Sequence, residues 1–127
     1  MIEVMYNGCH GGFGFSQKAM DQYHYLKRSA NPYYIDINMR DIERTDPLMI
    51  SIVKTLGHEA NGRSSKIVIE EIPKKYQIFY HIDEYDGQED IHIDYQTYKL
   101  CAIKLIVESD SHNKINEIKD ILDLANE

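Results

Sequence analysis

The sequence predicts an α+β fold in which two or three helices pack on a small antiparallel sheet with a central hairpin. Three observations point there. Strand-like alternation opens the chain at Ile2, Val4 and Tyr6. Two dipeptides, Phe15-Ser16 and Asp46-Pro47, carry helix start signals. A run from Gln77 to Tyr95 alternates around Asp86-Gly87, the preferred pair for a two-residue type I′ turn. With 127 residues and 43% apolar composition there is material for one modest core, hence a single domain over 1–127.

The elements follow in order. Ile2, Val4 and Tyr6 alternate with Glu3, Met5 and Asn7 and lead into YNGCHGGFGFS, Tyr6 to Ser16, which holds four of the seven glycines. Ser16 is a helix N-cap, with Phe15 before it able to staple the first turn. The helix is expected from Gln17 to about Arg28, with Met20, Tyr23 and either Leu26 or the stem of Lys27 inward, and Asn31-Pro32 ends it. Asp46-Pro47 starts a second helix with Leu48, Ile52, Val53 and Leu56 as its stripe, closed by Asn61-Gly62. Ile67, Ile69 and Ile72 read as a strand that Pro73 stops. The hairpin then spans 77–95 and pairs Ile82 with Ile91, Tyr80 with Ile93 and Ile78 with Tyr95. Its other face sets His81 across from His92 and Asp83 across from Asp90. Thr97 to Val107 fits strand or helix, and Ile115, Ile118, Leu122 and Ala125 give a terminal amphipathic helix.

Composition limits the function. A formal charge of −7 argues against a duplex nucleic-acid partner, since such proteins gain affinity by neutralising phosphates with Lys and Arg. A local basic patch can still hold one small anion. No stretch approaches the ~20 apolar residues that span a bilayer, and no basic-then-apolar leader opens the sequence. A cytoplasmic protein with no membrane partner is expected. Cys9 and Cys101 form no CxxC pair, and structural disulfides are not expected.

YNGCHGGFGFS, RTDP (Arg44 to Pro47), LGHEANG (Leu56 to Gly62), EIP (Glu71 to Pro73) and EYDGQE (Glu84 to Glu89) together resemble an uncharacterised small protein family of bacteriophages and large DNA viruses. The resemblance covers 1–95 and leaves 96–127 as a C-terminal extension. It implies a virus-encoded protein acting in the host-cell cytoplasm, and raises the prospect of a role against host defence.

A strand, a glycine-rich turn and a helix start together present unpaired N–H groups and a positive dipole end, which suit phosphate or carboxylate. The loop lacks the GK[ST] ending of a Walker A motif, and Gln17 stands where a dinucleotide fingerprint has its third glycine. Binding without triphosphate hydrolysis is therefore the leading expectation, without a cofactor. The candidate ligand residues are Gly8, Cys9, Gly11, Gly12, Phe13 and Ser16, with Arg44 and Arg63 as bidentate phosphate partners. Phe13 and Phe15 supply stacking surfaces. The competing reading makes the loop a tight turn with its phenylalanines in the core.

Two enzymatic alternatives stand beside it, in which a nucleotide-type ligand is cleaved. Cys9 is a candidate nucleophile, although adjacent His10 in an extended loop points away from it. His81, Asp83, Asp90 and His92 form a candidate divalent-metal face, against which stands a solvated hairpin tip. A protein–protein inhibitor acting through the acidic surface is a further alternative. The terminal stripe of Ile115, Ile118, Leu122 and Ala125 predicts a homo-oligomer, with docking on the chain's own sheet as the competing reading.

Overall fold

The computed structural model describes residues 1–109 and 112–123, and the fold is mixed α+β. Strand β1 (Ile2–Asn7) leads into the glycine loop and helix α1 (Gln17–Ala30). Helix α2 (Pro47–Leu56) precedes β2 (Ile67–Ile72), which returns antiparallel along β1, pairing Ile2 with Ile72 and Asn7 with Ile67. The hairpin β3 (Tyr80–Tyr85) and β4 (Gln88–Ile93) makes a second two-stranded sheet. Two helices follow, α3 (Tyr95–Val107) and α4 (Lys114–Leu122). The expected single sheet is thus two ribbons.

Helix starts form as the side-chain chemistry requires. The Ser16 hydroxyl accepts from the Ala19 amide at 3.1 Å. Asp46 accepts the Met49 amide at 3.0 Å through one oxygen and the buried Tyr23 hydroxyl at 2.8 Å through the other. That carboxylate therefore caps α2 and ties it to α1. Burial in the first place, then the bond to Asp46, pushes the Tyr23 pKa well above its ordinary value. α2 stops earlier than Asn61-Gly62 predicts, because Gly57 takes a positive φ of 61° and passes the chain into a 3-10 turn, Gly57–Ala60.

The core lies between β1, α1 and α2: Met5, Phe15, Ala19, Met20, Tyr23, Met49, Ile50, Ile52 and Val53 are buried together with Ile42 and Ala60. Leu48 and Leu56 pack at its margin, while Leu26 sits at the surface.

The hairpin register is the expected one, with Ile82 opposite Ile91, Tyr80 opposite Ile93 and His81 opposite His92. Asp86 and Gly87 both have positive φ, 52° and 86°, as a type I′ turn requires. The ladder ends before the expected Ile78–Tyr95 pair. Asp94 accepts from the Thr97 amide and hydroxyl, at 3.1 and 2.6 Å, and so turns Tyr95 into the first residue of α3. Ile78 is left exposed. The ambiguous run 97–107 is helical.

No residue of α3 or α4 is buried. Ile115 and Leu122 are exposed, and Ala125 lies outside the described residues. No described helix is long and apolar enough to cross a membrane.

Candidate functional site

The buried side chain of Asn7 organises the loop. Its Nδ2 donates to the carbonyls of Cys9 at 2.7 Å and Gly87 at 2.8 Å, while Oδ1 accepts from the Lys66 amide at 2.8 Å. The glycine loop, the hairpin turn and the approach to β2 are thereby fastened at one residue. The Asn7 amide donates to Glu89 at 2.8 Å, and both carboxylate oxygens of Glu89 accept from Arg44, at 2.7 and 3.0 Å. The Arg44 guanidinium carbon lies over Phe13, 3.6 Å from the ring centre. Segments that the sequence keeps far apart, YNGC, RTDP and EYDGQE, meet in this cluster.

Several candidate ligand residues serve the protein's own packing. A Cβ on Gly11 would stand 1.7 Å from the Ser64 carbonyl oxygen, and one on Gly8 would meet Val68 at 2.8 Å. The absent side chain at Gly87 admits the backbone of His10 in the same way. These glycines allow chain against chain. Ser16 is a cap, and its hydroxyl donates to the Glu59 carbonyl. Glu59 in turn pairs through its carboxylate with Lys18 in the first turn of α1. Arg44 has both terminal nitrogens on Glu89.

The Cys9 Sγ lies 3.4 Å from Asn7 Oδ1 and 3.3 Å from the Ser64 carbonyl. His10 Nδ1 instead faces the Asp86 carbonyl at 3.3 Å. Among the described residues no imidazole makes a hydrogen bond with the thiol.

The metal face is also rearranged. The His81 and His92 rings stack 5.7 Å apart, and their Nε2 atoms reach opposite oxygens of Asp83 at 2.9 and 3.2 Å. Both Nε2 atoms are thus engaged by the one Asp83 carboxylate. Asp90 joins neither imidazole in an ion pair. Among the described residues no group of three or more His, Cys, Asp or Glu is placed to hold a metal ion.

Two adjoining concavities flank Phe13 and Met39. A pocket of about 240 Å³ is lined by residues 11–15 of the loop, Met39 and the Gly62–Ser65 turn, including Arg63. The backbone N–H groups of Gly11, Phe13 and Gly14 in its lining form no hydrogen bond among the described residues. A groove of about 570 Å³ opens on the other side, between Phe13, Arg44, Ile42 and the Asn38–Arg40 segment. Arg40 and Arg63 are exposed and make no ion pair among the described residues. Sequence reading found Arg63 and Phe13 but not Asn38 or Arg40. Those two lie in an irregular connection with no periodicity to set a face, so no sequence signal placed them here.

No protein-family pattern, curated protein or solved structure matches the chain.

Proposed function

We propose that the protein binds a small phosphorylated, nucleotide-type ligand across these two concavities and holds it without cleaving it. One observation carries the reading. In a chain of net charge −7, neither concavity has a carboxylate in its lining among the described residues, while together they include Arg40 and Arg63, which make no ion pair there, beside Arg44, whose charge Glu89 offsets. The phosphate takes Arg63 and the free loop amides, and charge-assisted bonds from such groups are the strong ones. The planar part of the ligand takes the groove wall of Phe13, Met39 and Ile42.

Binding is favoured over turnover because Cys9 lacks a base and the histidine face lacks a metal geometry. In the setting that the resemblance to viral proteins implies, the ligand is a host immune signal removed from circulation by sequestration. The test is calorimetric titration of the intact chain with inorganic phosphate and nucleoside phosphates. Saturable binding that Arg63→Ala weakens at least tenfold, with thermal stability unchanged, supports the reading. Absence of binding for every phosphorylated compound at millimolar concentration overturns it, and conversion of a nucleotide to product returns the enzyme alternative.

A further inference from the structure

We infer that the outer edge of β2 is a docking site for an extended peptide segment that carries an acidic residue close to an apolar one. The ladder between β1 and β2 decides which backbone groups are free. The Met5 and Asn7 amides turn away from β2, donating to the Arg44 carbonyl and to the Glu89 carboxylate at 2.8 Å each. In an antiparallel pair of that kind both residues turn their polar groups outward. Ile69 and Ile67, opposite Met5 and Asn7, therefore turn theirs to the other edge, and Glu71 follows by alternation. Asn61 Oδ1 accepts the Ile67 amide at 2.9 Å. The amides and carbonyls of Ile69 and Glu71 have no partner among the described residues.

A groove of about 400 Å³ lies between this strand and the C-terminal end of α2. Val53, Ile67 and Ile69 give it apolar surface, and the exposed Lys54, His58 and Lys66 give it basic groups. Among the described residues its lining holds no carboxylate. Lys54 pairs with Glu3 of β1, while His58 and Lys66 make no ion pair among the described residues. Charge also changes along the strand, with Lys66 just before its start and the exposed Glu70 and Glu71 near its end.

Free backbone groups in strand geometry recognise another extended backbone, and the pockets beside them select its side chains. Residues two apart on an added strand share a face. One apolar residue of the segment therefore meets Val53, Ile67 and Ile69, while an acidic residue two positions away reaches the basic groups of the groove. The acidic end lies towards Lys66, because Glu70 and Glu71 repel it from the far end of β2. A second copy of the chain is a poorer occupant. Two-fold pairing of β2 with itself brings Lys54, His58 and Lys66 of both copies to one shared seam.

The experiment follows the intact, isotope-labelled chain by NMR as a short capped peptide of alternating Glu and Val is added. The Ile69 and Glu71 amides are expected to shift saturably and to gain protection from hydrogen exchange. The same peptide with Lys in place of Glu should bind about tenfold or more weakly. An analogue N-methylated throughout, which cannot donate to the edge, should not bind. Lys66→Glu combined with His58→Glu changes two exposed side chains and should reverse the preference between the acidic and basic peptides, with melting temperature unchanged. No saturable shift with the acidic peptide at millimolar concentration overturns the site. So do equal binding of the N-methylated analogue, shifts confined to the glycine loop, and a preference that the double variant leaves intact. Shifts of Ile69 and Glu71 that grow with protein concentration alone assign the edge to a second copy and overturn the peptide as its occupant.

Discussion

Arg44 and Glu89, 45 positions apart, meet in a bidentate ion pair at 2.7 and 3.0 Å, directly above the ring of Phe13. Glu89 also receives the Asn7 amide, so its side chain supplies the link by which β4 lies beside β1 without a backbone ladder between them. The Asn7 side chain, donating to the Gly87 carbonyl, adds a second link between the two ribbons. Truncating one partner of such a buried pair strands the other charge in a poorly hydrated site. Arg44→Ala is expected to lower unfolding free energy by about 3 kcal/mol or more. Glu89→Gln, which can still accept from Asn7, should cost less. Urea denaturation followed by circular dichroism measures both, and a loss below about 1 kcal/mol for Arg44→Ala would place the pair among ordinary surface contacts.

The same pair sets a pH dependence. Burial by itself raises the Glu89 pKa, but the Arg44 hydrogen bonds, the Asn7 amide and the Arg44 charge outweigh it and leave the pKa below the usual value. A depressed folded pKa means that the stabilisation is fully present above the unfolded carboxylate pKa of about 4.3, and is lost as pH falls through the lower folded value. Melting temperature should therefore drop below about pH 4 in wild type. Exposed Glu59 and Asp94, also lowered, titrate in the same direction in every variant. The drop attributable to Glu89 is the difference between wild type and Glu89→Gln, and parallel curves would remove Glu89 as its source.

Glycines in the loop are expected to differ sharply. Gly11 has an ordinary backbone, yet its Cβ position is filled by the Ser64 carbonyl, which no side-chain movement relieves. Gly12 has φ 91° with open space around it. Gly11→Ala should destabilise by more than about 2 kcal/mol, as overpacking against backbone does. Gly12→Ala should cost about 1 kcal/mol from its dihedral alone. Chemical denaturation of the two variants ranks them, and a reversed order would show that the loop moves away from Ser64 at little cost.

Cys9→Ser tests the chemistry. The thiol faces Asn7 Oδ1 and the Ser64 carbonyl, and a serine hydroxyl can donate to either. The variant should keep its fold and its phosphate affinity within about twofold, since the binding surface needs no thiolate. A variant that folds yet loses a turnover present in wild type would make Cys9 the nucleophile.

Much of the fold was legible because local chemistry dictates it. Ser16, Asp46-Pro47 and Asp86-Gly87 carry their instructions in one or two residues, and the structure places a cap, a helix start and a turn at each. The end of the hairpin was misread because alternation at Ile78 and Tyr95 continues past Ile93, while Asp94 and Thr97 settle the matter by capping α3. The candidate site was less legible. Glycine marks close approach without saying what approaches, and at Gly8, Gly11 and Gly87 the neighbour is the chain itself. Arg44 showed the right chemistry, but its carboxylate partner is Glu89, from a strand that only the tertiary fold brings near. Asn38 and Arg40 carry no signal until the groove exists.

The last expectation concerns α3 and α4, through which we propose that two copies associate. Neither helix has a buried residue, although Leu100 and Leu105 are each 70% exposed and Ile115 is 84% exposed. The first turn of α3 is tied to the hairpin approach through Tyr95 and Tyr98 against Tyr76 and Phe79, and α4 packs on α3. Helices of 13 and 9 residues are at or below the length that is marginal alone in water, so their apolar sides need cover. A two-fold pair covers both copies at once with one self-complementary surface. Light scattering at micromolar concentration should give a dimer for wild type. Leu105→Glu combined with Ile115→Glu should give a monomer, with the melting of the 1–95 part little changed because neither residue touches its core. Truncation after Ser109 should weaken association in the same direction. A monomeric wild type would overturn the pairing, as would a double variant that stays dimeric.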